Sequence, residues 1–423
     1  MVLTSAHGVP SLCGERSMPI ICTVVLACLY VMLGRVGMCS GKLLPDSTLG
    51  LSEIDWHLEK VHVYLGSPSI IRYHDQLLAS HDYFGSGLHP TQVSVFRSSD
   101  EGLTWTFLAN VSRMYFANFF EHRDSLYLMG IAHGREGRFA NNTDVAVSCS
   151  TDGGKTWSDA ATIFAGPYHT APTPLLNVSS SAVSGSGTLF RAMEYRKLPA
   201  TYYGSDFTAV MIRGDASCEN LTKPECWNIS NILPFNRSWI PAEWGNLTEP
   251  SWQEGNAVET PGGDGVVIIL RFNDPKAINK AALVDYDASE NFLHFRQFIE
   301  FPGGHTKFTI RRHPATGVYW TLSNNVTNPL YGTMRNILTL SHSVDLITWH
   351  VCKRRLLEDD TGFDFADSVR FTGFHYVDWQ FDGAEETSII YAIRTSYRGA
   401  NTYHNSNRLT FKKLIDFETF CSD

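Results

Sequence analysis

Short, strand-like runs rich in apolar residues recur along this 423-residue chain, whereas long stretches with helical periodicity are scarce. Gly, Pro, Asn or Asp bounds each segment, which is typical of the strands of a β-meander. The segments lie at residues 69–72, 77–80, 125–129, 144–149, 265–270, 308–311, 317–322, 336–340 and 388–393. This pattern predicts an all-β protein.

A second pattern, S-x-D-x-G-x-T-W, occurs at residues 98–105 and 150–157, and a shorter relative without the glycine occurs at 343–349. In such a segment the Asp side chain folds over nearby backbone N–H groups and the Gly takes a positive φ. The Trp then packs under the turn. We therefore expect three hairpin tips that join outer strands of β-sheets, and we call them the box turns.

Large aromatic residues recur at long intervals and indicate repeated sheets. Intervals of 52 to 70 residues separate Trp105, Trp157, Trp227, Phe295 and Trp349. Periods of roughly 40–50 residues are typical of propellers. With one more blade, ending at 407–414, residues 41–423 are predicted to form a single six-bladed β-propeller. A strand near 61–65 is expected to pair with the last blade and close the ring. The segment 215–250 is expected to be an irregular insertion.

The N-terminal region contains an apolar run of 14 residues, 20–33, between Arg16 and Arg35. Such a run has the length of a signal-peptide core and is short for a spanning helix. Residues 1–40 are therefore predicted to be a signal peptide, with a type II signal anchor over 18–34 as the alternative. Eight N-x-S/T sequons favour export to the secretory lumen or the exterior. They lie at Asn110, Asn141, Asn177, Asn220, Asn228, Asn236, Asn246 and Asn325.

The charge and the cysteines of the chain bear on nucleic-acid binding, disulfide formation and zinc binding. A formal charge of −9 and the absence of a long basic run argue against nucleic-acid binding. Cys218 and Cys226, eight residues apart among the sequons, are predicted to form a local disulfide. Outside the predicted targeting segment, residues 1–40, the remaining cysteines are Cys149, Cys352 and Cys421. Three is an odd number, so at least one of them is free or paired outside the chain. No C-x-x-C pair occurs, which disfavours a structural zinc site.

The box turns resemble the Asp-box (BNR) repeats of sialidases, and the order of other motifs resembles a sialidase from about residue 60 to 417. The resemblance implies a six-bladed propeller that hydrolyses terminal glycosidic bonds of a glycan or glycoconjugate, without a cofactor or metal. Sialidases hold a sugar carboxylate with three arginines. They use a Tyr nucleophile assisted by a Glu, and an Asp as acid/base, in place of the usual two carboxylates.

The resemblance assigns roles to five residues. Glu254 precedes a glycine-rich turn and a strand that ends in Arg271, as the family's Glu and second arginine do. Arg335 precedes a strand and a box turn, like the third arginine. Tyr376, in F-H-Y-V-D-W, matches the nucleophile, and Asp82, after A-S-H, matches the acid/base.

One position departs from the family. The first arginine normally opens the first blade, but residues 64–69 here read Y-L-G-S-P-S. Neither Gly nor Ser can replace the bidentate fork of a guanidinium. The candidates to replace it are Arg72, Arg191 and the pair His305 and Lys307.

Further polar residues are expected at the same face. His169 and Glu194 are predicted to line the pore and bind substrate, and His81 is expected to be a hydrogen-bonded neighbour of Asp82. A polar aromatic cluster near the C-terminus comprises Arg394, Tyr403, His404 and Asn407. Because the first arginine is missing, two alternatives to a sialidase stay open. One is a propeller exo-glycosidase for another sugar, and the other is a non-catalytic carbohydrate-binding propeller.

Overall fold

A computed structural model describes residues 49–56, 62–87, 90–133, 143–178, 187–196 and 199–421. The predicted targeting segment, residues 1–40, and the sequon residue Asn141 lie outside these ranges. The described residues form six four-stranded or larger antiparallel sheets around an axis, so the prediction of a six-bladed β-propeller is confirmed. Among them, no helix has the length and apolarity needed to cross a membrane.

In most of the sheets, strands that follow one another along the chain are also neighbours in the sheet, as in a meander. The first strands are β1 (Ser52–Trp56), β2 (Tyr64–Leu65), β3 (Ser69–Tyr73), β4 (Gln76–His81), β5 (Tyr83–Phe84), β6 (Gln92–Ser98) and β7 (Thr106–Ser112). Strands β3, β4, β6 and β7 form blade 1, and β2 pairs with β5. Blade 2 contains β8 (Met114–His122), β9 (Ser125–His133), β10 (Thr143–Ser150) and β11 (Ala161–Phe164).

Blade 3 has a split inner strand. It contains β12 (Tyr168–His169), β13 (Leu176–Val178), β14 (Thr188–Arg196), β15 (Phe207–Asp215), β16 (Trp227–Ile229) and β17 (Leu233–Pro234). Blade 4 contains β18 (Ser251–Glu259), β19 (Val266–Asn273), β20 (Lys280–Asp287) and β21 (Phe292–Glu300). Blade 5 contains β22 (Thr309–Arg312), β23 (Tyr319–Ser323), β24 (Ile337–Ser343) and β25 (His350–Glu358).

Blade 6 combines the two ends of the described chain. It contains β26 (Gly373–Asp382), β27 (Ser388–Ser396), β28 (Arg408–Ile415) and β1. A short helix, α1 (Phe365–Phe371), precedes it. Single 3₁₀ turns lie at Pro224–Cys226, Arg237–Trp239, Ala242–Trp244, Pro329–Tyr331 and Phe417–Cys421.

Ring closure differs from the expectation. Strand β1, and not the segment near 61–65, pairs antiparallel with β28 and completes blade 6. Strand β1 is long enough to bury Ile54 against Leu409 and Phe411. The later segment instead forms a two-residue ribbon with β5, and its Leu65 adds one backbone bond to Ser406.

The box turns have the predicted structure. In the first turn Asp100 accepts bonds from the Thr104 N–H (2.9 Å) and hydroxyl (2.6 Å). Trp105 is fully buried against Phe411 of the neighbouring blade. Gly102 has a φ of +84°, and a Cβ there would lie 2.0 Å from the Phe411 ring. The turn is therefore also the point where blade 1 packs on blade 6.

Two disulfides join cysteines of the described chain. One links Cys218 to Cys226 in the irregular insertion, as the spacing predicted, and the other links Cys352 to Cys421. Cys149 is free and half-buried.

Candidate active site

Three of the first strands of the blades carry a β-bulge. The pairing register shifts between Tyr115 and Asn118 in β8, between Gln253 and Asn256 in β18, and between His375 and Asp378 in β26. Within these bulges Phe116, Glu254 and Tyr376 have φ values of 50°, 56° and 55°. A positive φ is uncommon for residues other than glycine and is found where a site requires it. Bulges also redirect side chains, and here they occur in alternate blades, 2, 4 and 6.

Two of the bulged residues contact each other. The Tyr376 hydroxyl donates to Glu254 Oε1 at 2.8 Å, although 122 residues separate them. Arg271 Nη1 donates to Glu254 Oε2 at 2.8 Å, and its Nε donates to the His305 carbonyl at 2.8 Å. Burial by itself would raise the pKa of Glu254, but the charge and hydrogen bond of Arg271, with smaller contributions from His169 and Tyr376, together leave that pKa below its ordinary value. The Glu254 carboxylate is therefore ionised next to a neutral phenol. Burial, followed by the Glu254 charge, raises the pKa of Tyr376.

Two more guanidinium groups flank the Tyr376 ring. The Arg394 carbon Cζ lies 4.7 Å from the ring centroid and that of Arg335 lies 5.8 Å from it. Both side chains are buried, and neither has a carboxylate within ion-pair distance in the described part of the chain. The Nε atom of each also lacks a hydrogen-bond partner there. Burial lowers the pKa of Arg335 and lowers that of Arg394 to about 10.

Neutral groups hold these two arginines in place. Arg335 Nη1 lies 2.9 Å from His375 Nδ1. Because a guanidinium only donates, Nδ1 accepts and the other ring nitrogen donates to the Tyr403 carbonyl at 2.9 Å. Arg394 Nη2 donates to the His404 carbonyl at 2.6 Å. These partners orient both guanidinium groups without cancelling their charges, which is the arrangement expected of an anion site.

The missing first arginine has a steric explanation. Ser67 N–H and Phe116 N–H each donate to one oxygen of the buried Asp82 carboxylate, both at 2.6 Å. A Cβ at Gly66 would lie 1.8 Å from Asp82 Oδ1. A side chain at Gly66 would therefore displace the Asp82 carboxylate from its present position, and the backbone of this segment holds Asp82 instead. Burial raises the pKa of Asp82 despite the two backbone donors.

The expected replacements for that arginine lie elsewhere. Arg72 pairs with Asp382 and with Glu101 (2.8 Å), so its charge is already neutralised by two carboxylates. Arg191 is fully buried and donates to the Met129 carbonyl at 2.6 Å. The guanidinium group beside Tyr376 is that of Arg394, from β27, which pairs with His375 of β26.

His305 and Lys307 are also hydrogen-bonded to other residues of the chain. Burial lowers the pKa of His305 to about 3, so its imidazole is neutral. With Arg271, Thr333 and Arg335 it lines a small cavity of about 40 Å³. Lys307 is 1% exposed, and its ammonium group contacts Thr309 Oγ1 and the Val377 carbonyl. Both side chains are therefore buried, and neither replaces the guanidinium group that the sequence lacks at residues 64–69.

An aromatic and acidic wall lies near Glu254. His169 Nδ1 lies 2.9 Å from Glu194 Oε2, and Gly255 N–H donates to Glu194 Oε1 at 3.4 Å. The His169 ring stacks on Phe207 at 4.4 Å, and Phe207 contacts Tyr203, which is 62% exposed. Glu194 and Phe207 are both buried, so His169 and Tyr203 are the members of this wall that a ligand could reach.

Three further residues that were named from the sequence contact other protein groups. His81 is fully buried between Asp55 and the Asp82 carbonyl, at 3.0 and 2.8 Å. Tyr403 lies 5.7 Å from Arg335. Asn407 caps Tyr397 through two backbone bonds and does not contact the arginines.

The sequence pattern missed the donors of Asp82 and the bulge at Phe116. Backbone N–H groups carry no sequence signal, and Phe116 is an ordinary apolar residue of a strand. Arg394 was visible only as a member of a polar cluster. The pairing of β26 with β27 places Arg394 opposite His375, next to Tyr376.

Solved structures of similar fold include glycosidases. The α-L-arabinofuranosidase Arb93A from Fusarium graminearum aligns with a TM-score of 0.51 and 10% identity, over 89% of this chain and 98% of that one. The intramolecular trans-sialidase from Ruminococcus gnavus aligns with a TM-score of 0.50 and 12% identity, over 86% and 97%.

A third neighbour is the Trypanosoma rangeli sialidase, determined in complex with sialic acid. It aligns with a TM-score of 0.51 and 11% identity over 90% of this chain, which spans 58% of that structure. No protein-family model and no curated protein sequence matches the chain. At these identities the likeness establishes the propeller fold, and what this chain does has to be argued from its own residues.

Proposed function

We propose that the protein is an exo-acting glycosidase of the sialidase type, which releases a terminal anionic sugar from a glycan or glycoconjugate. One observation carries the proposal. The hydrogen-bonded pair Tyr376 and Glu254 lies beside the buried arginines 335 and 394, which have no carboxylate partner in the described chain. A buried cation without a counter-ion is costly, which favours a ligand that supplies the anion.

The arginines would bind the carboxylate of the sugar. Arg335 and Arg394 have unused donors, and Arg271 is partly engaged by Glu254. In a nonulosonic acid the carboxylate is attached to the anomeric carbon, so this anchoring brings the anomeric carbon to the Tyr376 ring. An anionic nucleophile would be repelled at that position, whereas a neutral phenol is not.

Tyr376 is the proposed nucleophile. Its oxygen attacks the anomeric carbon while its proton passes to Glu254 Oε1, with which it already shares a hydrogen bond. The bond from the anomeric carbon to the leaving oxygen breaks in the same step. The low pKa of Glu254 keeps the carboxylate available as acceptor, and the three guanidinium charges stabilise the oxygen as its proton leaves.

Asp82 is the proposed acid/base. Its raised pKa favours the protonated form, which can donate to the leaving oxygen. In the second step the carboxylate takes a proton from water, and the water oxygen displaces Tyr376 from the anomeric carbon. Ser67 and Phe116 hold the carboxylate by their backbone N–H groups, so its position is independent of side-chain motion.

The test is release of the fluorophore from an aryl sialoside. The wild type should cleave it, and Tyr376→Phe should lower turnover by at least about 10³-fold because the nucleophile is removed. Tyr391→Phe is a matched control. Tyr391 lies in the same blade, is fully buried, and its hydroxyl has no partner among the described residues.

Other outcomes would redirect the proposal. Inactivity of the wild type on all sialosides would exclude the sialidase type. Release of another terminal sugar from a polysaccharide panel would then indicate a different exo-glycosidase. Binding on a glycan array without release of any sugar would indicate a carbohydrate-binding propeller.

We further propose that the chain is exported and glycosylated. Disulfides persist in oxidising compartments, and the described chain contains two. The sequon asparagines of the insertion, 220, 228, 236 and 246, are all exposed. Treatment of the expressed protein with an N-glycan-removing enzyme should lower its apparent mass. An unchanged mass of protein made in a eukaryotic secretory host would contradict the proposal.

A further inference from the structure

Lys307 carries a fully buried amino group that the reaction above does not use, and burial lowers its pKa to about 7. It is 1% exposed and precedes β22. Its ammonium donates to Thr309 Oγ1 at 2.5 Å and to the Val377 carbonyl. No carboxylate of the described residues lies within ion-pair distance of it. An ammonium group so enclosed is expensive to bury, so its retention needs a specific interaction to explain it.

The Val377 carbonyl belongs to the bulge that carries Tyr376. The register of β26 shifts between His375 and Asp378, so Tyr376 and Val377 are the two bulged residues. The Thr309 hydroxyl also donates to this carbonyl, at 2.8 Å. Two donors from one neighbouring segment therefore converge on a single backbone oxygen, directly next to the residue with φ of 55°.

Buried charged side chains contact the other two bulges in the same way. Arg191 Nη2 donates to the Phe116 carbonyl at 3.3 Å. The Glu194 carboxylate accepts from Gly255 N–H, next to Glu254, at 3.4 Å. A bulge leaves backbone groups outside the strand ladder, and buried backbone groups need partners. A charged partner makes a stronger hydrogen bond than a neutral one.

We propose that Lys307 is a positioning residue that, together with Thr309, fixes the Val377 carbonyl and thereby aims the Tyr376 hydroxyl at Glu254. Its effect on turnover rests on the function proposed above, whereas its effect on the Tyr376 side chain does not. A displacement of about 1 Å at a reacting group is enough to lower a rate by about 10²-fold. Loss of the ammonium should therefore act on turnover more than on substrate binding.

The experiment compares Lys307→Met, Lys307→Gln and Thr309→Val with a control, Lys412→Met. Methionine keeps the length of the side chain and removes the donor, whereas glutamine keeps an N–H donor without the charge. Lys412 is a suitable control because its ammonium likewise donates to one backbone carbonyl, that of Leu49, at 2.7 Å. It lies on β28, and burial lowers its pKa as it does that of Lys307.

Two readouts are measured for each folded variant. With the substrate that the wild type cleaves, Lys307→Met should lower kcat by about 10²-fold and leave KM within about threefold. Lys307→Gln and Thr309→Val should have intermediate effects. Independently of activity, the fluorine resonance of 3-fluorotyrosine incorporated at position 376 should shift and broaden in Lys307→Met and keep its wild-type position in Lys412→Met.

The two readouts separate failure of this proposal from failure of the proposed function. If the wild type cleaves no glycoside, the fluorine resonance still tests the positioning role. An unchanged resonance in both Lys307→Met and Thr309→Val, or a fall in kcat equal to that of Lys412→Met, would overturn it. If Lys307→Met does not fold, Lys307→Gln and Thr309→Val give the same comparison.

Discussion

The box turns at the outer edge of the sheets and the bulges in the inner strands are both tight distortions of a β-strand, but they are built differently. In the first box turn every side-chain bond of Asp100 reaches a residue within four positions. In the bulges the bonds reach other blades of the ring. Tyr376 reaches Glu254 over 122 residues, and Lys307 reaches Val377 over 70.

The box turns and the bulges also differ in the polarity of their surroundings. Asp100 is near solvent, and the Thr104 and Ser98 hydrogen bonds take part in lowering its pKa although its burial acts in the opposite direction. The bulges instead enclose charged groups, such as Arg191, Glu194 and Lys307, that are fully buried. The turns thus stabilise the scaffold by local contacts, and the bulges use that scaffold and its buried charged groups to hold residues such as Tyr376 and Glu254 in a strained backbone conformation.

The largest effect that would sharpen this comparison is expected from Glu254→Gln. The amide cannot accept the Tyr376 proton as a base, so turnover should fall by about 10²–10⁴-fold, while the fold persists. Glu259→Gln, on the same strand but paired with Arg312, is the control and should keep wild-type turnover. Steady-state kinetics and thermal denaturation of both variants give the answer, and equal loss of turnover in the two would break the distinction.

The next largest effect is expected from Arg394→Met. Removing a buried cation that binds the substrate carboxylate should cost about 3 kcal/mol, or roughly 100-fold in kcat/KM, mainly through KM. Arg394 also lowers the pKa of Asp82. Asp82 acts as an acid while protonated, so activity is lost as pH rises through its pKa. Without Arg394 that pKa rises further, and the alkaline limb of the kcat/KM profile should move to higher pH.

Arg335→Met is the comparison variant for this shift. It should raise KM similarly, because Arg335 is the other guanidinium without a carboxylate partner. Arg394, and not Arg335, is among the main groups that shift the pKa of Asp82, so the alkaline limb of Arg335→Met should move less than that of Arg394→Met. Coinciding profiles for the two variants would show that Arg394 does not act on Asp82.

A smaller effect is expected from Gly66→Ala. Its Cβ would lie 1.8 Å from Asp82 Oδ1, so the carboxylate must move away from its backbone donors. We expect about tenfold lower turnover and about 1–3 kcal/mol lower free energy of unfolding. Gly265→Ala, where a Cβ meets Thr260 at 3.4 Å, should be tolerated. Wild-type turnover in Gly66→Ala would contradict the steric explanation for the missing arginine.

The smallest effect is expected from Asp100→Asn in the first box turn. One acceptor oxygen of the carboxylate is replaced by an amide NH₂ group, which cannot accept a hydrogen bond. The turn should therefore lose about 1 kcal/mol of stability. Because its partners are local, kcat and KM should equal those of the wild type. Chemical denaturation measures the first quantity. A large loss of activity with unchanged stability would mean that this turn acts on the mouth of the propeller.

The fold and the Tyr376–Glu254–Arg271 group were predictable because each has a local signal. The box turns have a fixed spacing, and each of these three residues lies in a recognisable strand-and-turn pattern. Arg394 was only partly predictable. Its neighbourhood is polar and aromatic, but nothing in the local sequence distinguishes an arginine beside Tyr376 from Arg72, which pairs with carboxylates at the periphery.

The sequence by itself determined the repeated strands, the box turns and the type of polar residue that follows each strand. These features depend on short apolar runs bounded by turn residues and on hydrogen bonds within a few residues. Only the tertiary structure decided which buried charges serve the substrate and which serve the backbone. Arg191, Glu194 and Lys307 have the composition of a binding site, yet their partners are backbone groups of bulges in other blades. Packing of the blades around the ring sets those neighbours, and no residue records locally which strand of the adjacent blade will lie beside it.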